Sequence, residues 1–330
     1  MLITLPLMLF IVMVELSVGA FVVLFVLDWR NMVKRNFLVT YAIIYVLFTG
    51  LTVLFQLNFS TQDLLNTFTM LDKAWIGYLT PFVLLFLVLM VAYTILLLMD
   101  KKAGVDGKFK KEEEEVEGTR RSTVRLLRLI FGSLDVFAGA LTIFVLGMIY
   151  RPLAASDPAE AFVVGSFFAS ALALGGVMTA MWLGHWYLVT PALSEKPLRF
   201  ATTLVLIGVL AQLVFTFTGG LSTAGHSQSS KVVTPAVTAT TTTAISAAKP
   251  VPNSQVKPSN ATVVTPLSID VIGWLRLLVA FVIPLALLGF ILKLIHERSF
   301  QSATGMLYLV VVLTLAGEAL SRGLFLAGLS

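Results

Sequence analysis

Eight stretches of this chain are long and apolar enough to cross a lipid bilayer, and nothing else in the sequence constrains the fold as much. They occupy residues 4–27, 36–57, 75–99, 124–150, 161–191, 200–220, 268–295 and 303–328. Each reaches the roughly 20 residues that a helix needs to traverse a hydrocarbon core about 30 Å thick. Lipid offers the backbone no hydrogen-bond partners, so such runs form helices that satisfy their own N–H and C=O groups. The short alternating strands of a membrane barrel are not seen. The expected fold is therefore all-α: a polytopic integral membrane protein, an eight-transmembrane-helix bundle. A composition 58% hydrophobic and only 12% charged agrees. The first run lacks a basic leading region, contains Glu15 and is followed by no small-residue cleavage site. It reads as the first span and not as a signal peptide.

The charges between the runs set the expected orientation. "DWRNMVKR" contributes Arg30, Lys34 and Arg35, and the charged loop 100–123 with its continuation holds Lys101, Lys102, Lys108, Lys110, Lys111, Arg120, Arg121, Arg125 and Arg128. "SEKPLR" adds Lys196 and Arg199, and "KLIHERS" adds Lys293 and Arg298. With eight alternating spans all four connections share one side, and the other side has chiefly Lys73 and Arg151 near helix ends. The positive-inside rule then places both termini outside the cytoplasm, in a multi-pass protein of a prokaryotic plasma membrane. A pI near 9.4 thus reflects loop charge and not nucleic-acid binding.

The domain plan follows. Residues 1–220 carry spans one to six with the cytoplasmic loop 100–123. Residues 221–266, rich in Ser, Thr, Ala and Pro, read as a disordered outer loop that cannot bury enough apolar surface to fold. Residues 267–330 carry spans seven and eight. The two glycosylation sequons, at Asn58 and Asn260, fall in loops expected outside, where modification and chance are both open.

Ionisable groups inside a span are costly and face the bundle interior by default. Glu15, Asp135, Arg276, Glu318 and Arg322 are such groups. Glu318 and Arg322, at i and i+4, share a helix face. Counting depth at about 1.5 Å per residue brings Glu15, Arg276, Glu318 and Arg322 to similar levels. Two acids and two bases sum to zero, which suits either a buried polar lock or a site that exchanges protons with a lipid-soluble substrate. Asp135, in "FGSLDVFAG", has no sequence-local partner and is a candidate proton carrier or an interhelical hydrogen-bonding group.

Of the three histidines, His226 falls in the outer loop, while His185 and His296 sit at the basic-loop ends of spans five and seven. They permit a b-type haem with two imidazole ligands, but that reading is less favoured than an interfacial aromatic belt around "GHWYL" or a hydrogen bond from His185 to a quinone headgroup. With no cysteine, the chain ligates no iron–sulfur cluster, holds no thiol zinc site and attaches no c-type haem.

"PLMLFIVMVELSVGAFVVLFVLD" in the first span and "LTLAGEALSRGLFLAG" in the last resemble the membrane anchor subunit of dimethyl sulfoxide reductases, as does "IGWLRLLVAF" with Trp274 and Arg276. Gly317, Glu318, Arg322, Gly323 and Phe325 meet that family's pattern in its last helix. The related polysulfide-reductase-type anchor has the same helix count. The resemblance implies a subunit that binds quinone of the menaquinone or ubiquinone type. Its implied partners are an iron–sulfur subunit and a molybdopterin catalytic subunit. Two positions depart from the family: Asn58 stands where its quinol-linked histidine is expected, and Pro81 lies near the place of its glutamate in the third helix. Glu15, Asp135 and Glu318 are then the candidate proton groups, and His185, Arg276 and Arg322 the candidate headgroup-binding ones. A secondary transporter, with span seven broken at Pro284 and span five loosened at Gly175 and Gly176, is the alternative of a different class.

Overall fold

The computed structural model describes residues 5–59, 61–101, 103–105, 118–154, 157–189, 194–226 and 271–327. The helices are α1 (Leu5–Trp29), α2 (Arg35–Asn58), the short α3 (Thr61–Thr67), α4 (Lys73–Met99), α5 (Gly118–Tyr150), α6 (Asp157–Val189) and α7 (Lys196–His226). Span seven is composite: α8 (Val271–Leu277), a π-helical turn (Leu278–Val282) and α9 (Ile283–His296). The last helix is α10 (Phe300–Ala327). No strand occurs among the described residues, where Lys34 and Gly104 form a single isolated bridge. Among the described residues eight helices are long and apolar enough to span a membrane, their mean hydropathy running from 1.8 to 2.9. The chain is a multi-pass, all-helical membrane protein.

Helix α1 is the axis of the bundle. Its most apolar stretch is 78% buried inside the protein, against 33% for α4 and for span seven. It packs on α2, α5, α6 and α10, while α6 packs on α1, α5, α7 and α10. The outer helices turn apolar side chains such as Leu47, Val88, Phe137, Phe290 and Val312 outward, as lipid-facing surfaces require.

Small residues set the closest approaches. A Cβ on Gly19 would lie 1.7 Å from the Ala171 carbonyl oxygen, and one on Gly175 would lie 1.9 Å from the Gly19 carbonyl carbon. Helices α1 and α6 therefore cross with their backbones in contact, as small residues permit in membranes. Gly175 is a crossing point and not a weak place, because α6 runs unbroken through Gly175 and Gly176. Gly208 meets Ala173 in the same way, and Gly317 of α10 meets Ala280 in the π-turn.

Several boundaries differ from the sequence expectation. Helix α5 begins at Gly118, inside the expected loop 100–123. Helix α7 continues to His226, so residues 221–226 are helical and His226 ends a helix; residues 227–266, with Asn260, lie outside the described residues. Apolar window counting misses both extensions because polar residues at a membrane surface continue a helix freely. Pro284 does not break span seven: it sits in the first turn of α9, where its missing N–H costs little, directly after the π-turn. Pro81 is likewise accommodated within α4. Tyr187 does not belong to an interfacial belt: it is buried, donates to the Ser194 carbonyl and packs on Phe300.

Candidate functional site

The four charges expected at similar depth are brought together on helices α1, α8 and α10. Glu15 and Glu318 flank Arg322: Nη2 of Arg322 donates to Glu15 Oε1, and its Nε lies 2.8 Å from Glu318 Oε1. Glu15 is fully buried, Glu318 is 6% exposed and Arg322 5%. The carboxylates are completed from the neighbouring helices. Ser170 Oγ donates to Glu15 Oε2 at 2.9 Å, and Gln212 Nε2 donates to Glu318 Oε2 at 2.6 Å. The Arg322 guanidinium carbon stands 3.8 Å from the centroid of the Phe167 ring, an arrangement that favours a cation. Phe167 stacks in turn on Tyr150, which is within electrostatic reach of Arg322 and Glu15. Arg276 donates through Nε to Ser321 Oγ at 2.9 Å and lies within electrostatic reach of Glu318.

Local structure explains the convergence. Glu318 follows Gly317, whose lack of a side chain lets α10 lie against Ala280 of the π-turn. The π-turn inserts extra backbone into span seven just after Arg276 and so resets which way α8 faces. Glu15 precedes Gly19 by about one helical turn and Ser170 directly precedes Ala171, so the close Gly19–Ala171–Gly175 crossing fixes their separation. A guanidinium between two carboxylates matches the planar fork of arginine, and each remaining carboxylate oxygen has a neutral donor. Such a network can hold two negative charges out of water, and can release or take up a proton when a ligand displaces one of its donors.

Asp135 is not part of this network. It is fully buried on α5, at i−4 from Gly139 and i+3 from Gly132. These glycines share its face and meet Val18 and Phe86, and Phe25 and Tyr93, respectively. His185 is also apart. It is exposed at the end of α6 away from the network, with the Tyr308 hydroxyl 3.5 Å from Nδ1. His296 is exposed at the end of α9. Asn58 ends α2, exposed, and donates to the Leu54 carbonyl.

A second buried cluster escaped the sequence reading. At the opposite end of the bundle Arg128 pairs with Asp28 at 3.2 Å and with Asp100 at 2.9 Å. Tyr93 donates to Asp28 Oδ2 at 2.8 Å, while Arg35 donates to the carbonyls of Asp100 and Leu98. Arg128 is 1% exposed and Asp28 fully buried. These groups stand at the edges of apolar runs and so read as solvated loop charges. The available signal was an arginine seven residues before Asp135, hence on one helix face with it.

No family model matches the chain, and no match is found among curated proteins. The functional reading therefore rests on the residues themselves.

Proposed function

We propose that this protein is the quinone-interacting membrane anchor subunit of a multi-subunit oxidoreductase. The observation that supports it most directly is the Glu15–Arg322–Glu318 network: two carboxylates held on one guanidinium inside an apolar bundle, with Arg276 beside them. Quinone reduction and quinol oxidation move two protons with two electrons, so a site needs groups that exchange protons where the lipid-soluble ring can reach them. Glu15 and Glu318 take that role. Arg322 keeps them paired between turnovers, and Arg276, half-buried next to the exposed Trp274, orients the headgroup from the lipid side. Electrons pass to or from an iron–sulfur subunit docked on the face nearer the network, with a molybdopterin subunit beyond it. The resemblance of the terminal spans to dimethyl sulfoxide reductase anchors supports the same reading, as does the basic-loop asymmetry for a prokaryotic plasma membrane with both termini outside. That protons are handled at Glu15 and Glu318 also accommodates the departures at Asn58 and Pro81.

The internal completeness of the network supports a second reading, a polar lock that only fixes helix packing. One experiment separates the two. Membranes carrying Glu15→Gln or Glu318→Gln are assayed for quinol-dependent turnover, with complex assembly measured by co-purification. The quinone reading expects turnover to fall by roughly 10²-fold or more while assembly persists. Normal turnover in an assembled complex leaves the lock. A chain that purifies without any iron–sulfur or molybdenum partner favours a transporter instead.

A further inference from the structure

The end of the bundle that carries the basic connections holds a patch that neither buried cluster uses. Arg30, directly after α1, lays its guanidinium over the Phe200 ring of α7, 5.2 Å from the centroid. The face of the ring attracts the cation and holds it in place. Helix α7 packs on α6 and on span seven, so Arg30 reaches it from across the end of the bundle. Lys196 opens α7 four residues before Phe200 and shares its face, one turn nearer the helix end. Arg199 stands beside them, exposed like Arg30 and Lys196. Among the described residues none of these three cations has a carboxylate within ion-pair distance. Glu195 is the neighbouring acid, and Asp28 is committed to Arg128. Trp29 is exposed next to Arg30, as an aromatic side chain at headgroup level is. Further along α7 the same face turns apolar: Ile207 and Val214, seven and fourteen residues after Phe200, are both exposed. A cationic head and an apolar stripe are therefore continuous on one face of the helix.

We propose that this patch binds an anionic phospholipid of the adjoining leaflet. Arg30 and Lys196 take the phosphodiester, Arg199 flanks it, and an acyl chain lies along Ile207 and Val214. Anionic lipid attracts any basic segment at a membrane surface. What is particular here is that Phe200 fixes one guanidinium, whose planar fork fits two phosphate oxygens at once. A free phosphate could meet only the cations. The apolar stripe that continues from them fits an amphiphile, and a bound lipid would join the end of α1 to α7. The proposal does not rest on the quinone reading, because the patch and the Glu15–Arg322–Glu318 network share no residue.

Titration of the purified full-length protein in neutral detergent tests this, with retained lipid counted by native mass spectrometry and stability followed by thermal melting. Phosphatidylglycerol should be retained and should raise the melting temperature, while phosphatidylcholine and inorganic phosphate should do neither. Arg30→Gln combined with Lys196→Gln should weaken phosphatidylglycerol binding about tenfold or more. Phe200→Leu keeps every charge but removes the seat of the guanidinium, and should weaken binding by less. Lys293→Gln removes a charge from the same side of the bundle, at an exposed position paired with Glu297, and should leave binding unchanged. Equal weakening by Lys293→Gln would mean diffuse attraction to the whole basic face and overturns the site. A shift reproduced by inorganic phosphate overturns the lipid as its occupant. An equal response to phosphatidylcholine, or full binding by the double variant, overturns the role of the cations.

Discussion

Arg322 is the side chain on which the network depends, because it is the direct counter-ion of both Glu15 and Glu318. Replacing it by Ala leaves Glu15 buried with only the Ser170 hydroxyl. Removing one partner of a buried pair costs roughly 3–5 kcal/mol, so thermal unfolding of detergent-solubilised Arg322→Ala should show a large loss of stability. Arg322→Lys should fall between, since one ammonium cannot bond both carboxylates in the fork geometry and stacks less well on Phe167. Glu318→Gln should cost the least, because Arg322 retains Glu15. The sequence made these charges legible since an ionised residue inside a long apolar run is conspicuous. Ser170, Gln212 and Phe167 were not legible: neutral polar and aromatic residues are ordinary in spanning helices, and nothing local marks which of them completes a carboxylate. Asp28, Asp100 and Arg128 were hidden for the converse reason. They end apolar runs, where charge normally means solvent.

At the scale of elements, the bundle is organised by places where side chains are missing. Gly19→Val and Gly175→Val should separate α1 from α6 and lower both stability and yield, because the added atoms would overlap backbone that cannot move aside. Gly50, Gly289 and Gly305 meet nothing within 4 Å. Their replacement by Ala should be neutral or stabilise the helix by up to about 1 kcal/mol. Thermal melts of the two sets, compared in one detergent, test whether the crossing depends on Gly19 and Gly175 or on helix flexibility generally. The π-turn makes a different prediction. A π-turn carries one extra residue in an α-helix. Deleting Val279 should restore regular winding and turn α8 by about 100° relative to α9, taking Arg276 away from Ser321. The variant should fold, since α9 and α10 keep their packing, but should lose quinol-dependent turnover. Unchanged turnover would show that Arg276 has no part in the site. Hydropathy reports that a run is long enough to span; it is blind to winding, so this turn was beyond its reach, although Pro284 marked the neighbourhood.

For the whole molecule, the two buried clusters give the bundle a direction. The Glu15–Arg322–Glu318 network lies in the half nearer the amino terminus of α1, and the Asp28–Arg128–Asp100 cluster lies at the end that carries Arg30, Lys34, Arg35, Lys196, Arg199 and Arg298. Basic connections are retained in the cytoplasm during insertion. In the proposed orientation the network faces the outside, where the proposed partner would dock, and the Asp28 cluster faces the cell interior. The chain has no cysteine, so single introduced cysteines report topology without background. Lys196→Cys and Arg298→Cys, both at exposed positions on the basic side, should react with a membrane-impermeant maleimide only after cells are permeabilised. Asp63→Cys and Asn66→Cys, exposed on α3 at the other side, should react in intact cells. The reverse pattern would invert the bundle. The proposed partner beside Glu15 and Glu318 would then have to be cytoplasmic. The labelling experiment thus decides which compartment each buried cluster faces, and with it the side on which the proposed partner would dock, and no change in the buried chemistry is needed to read it.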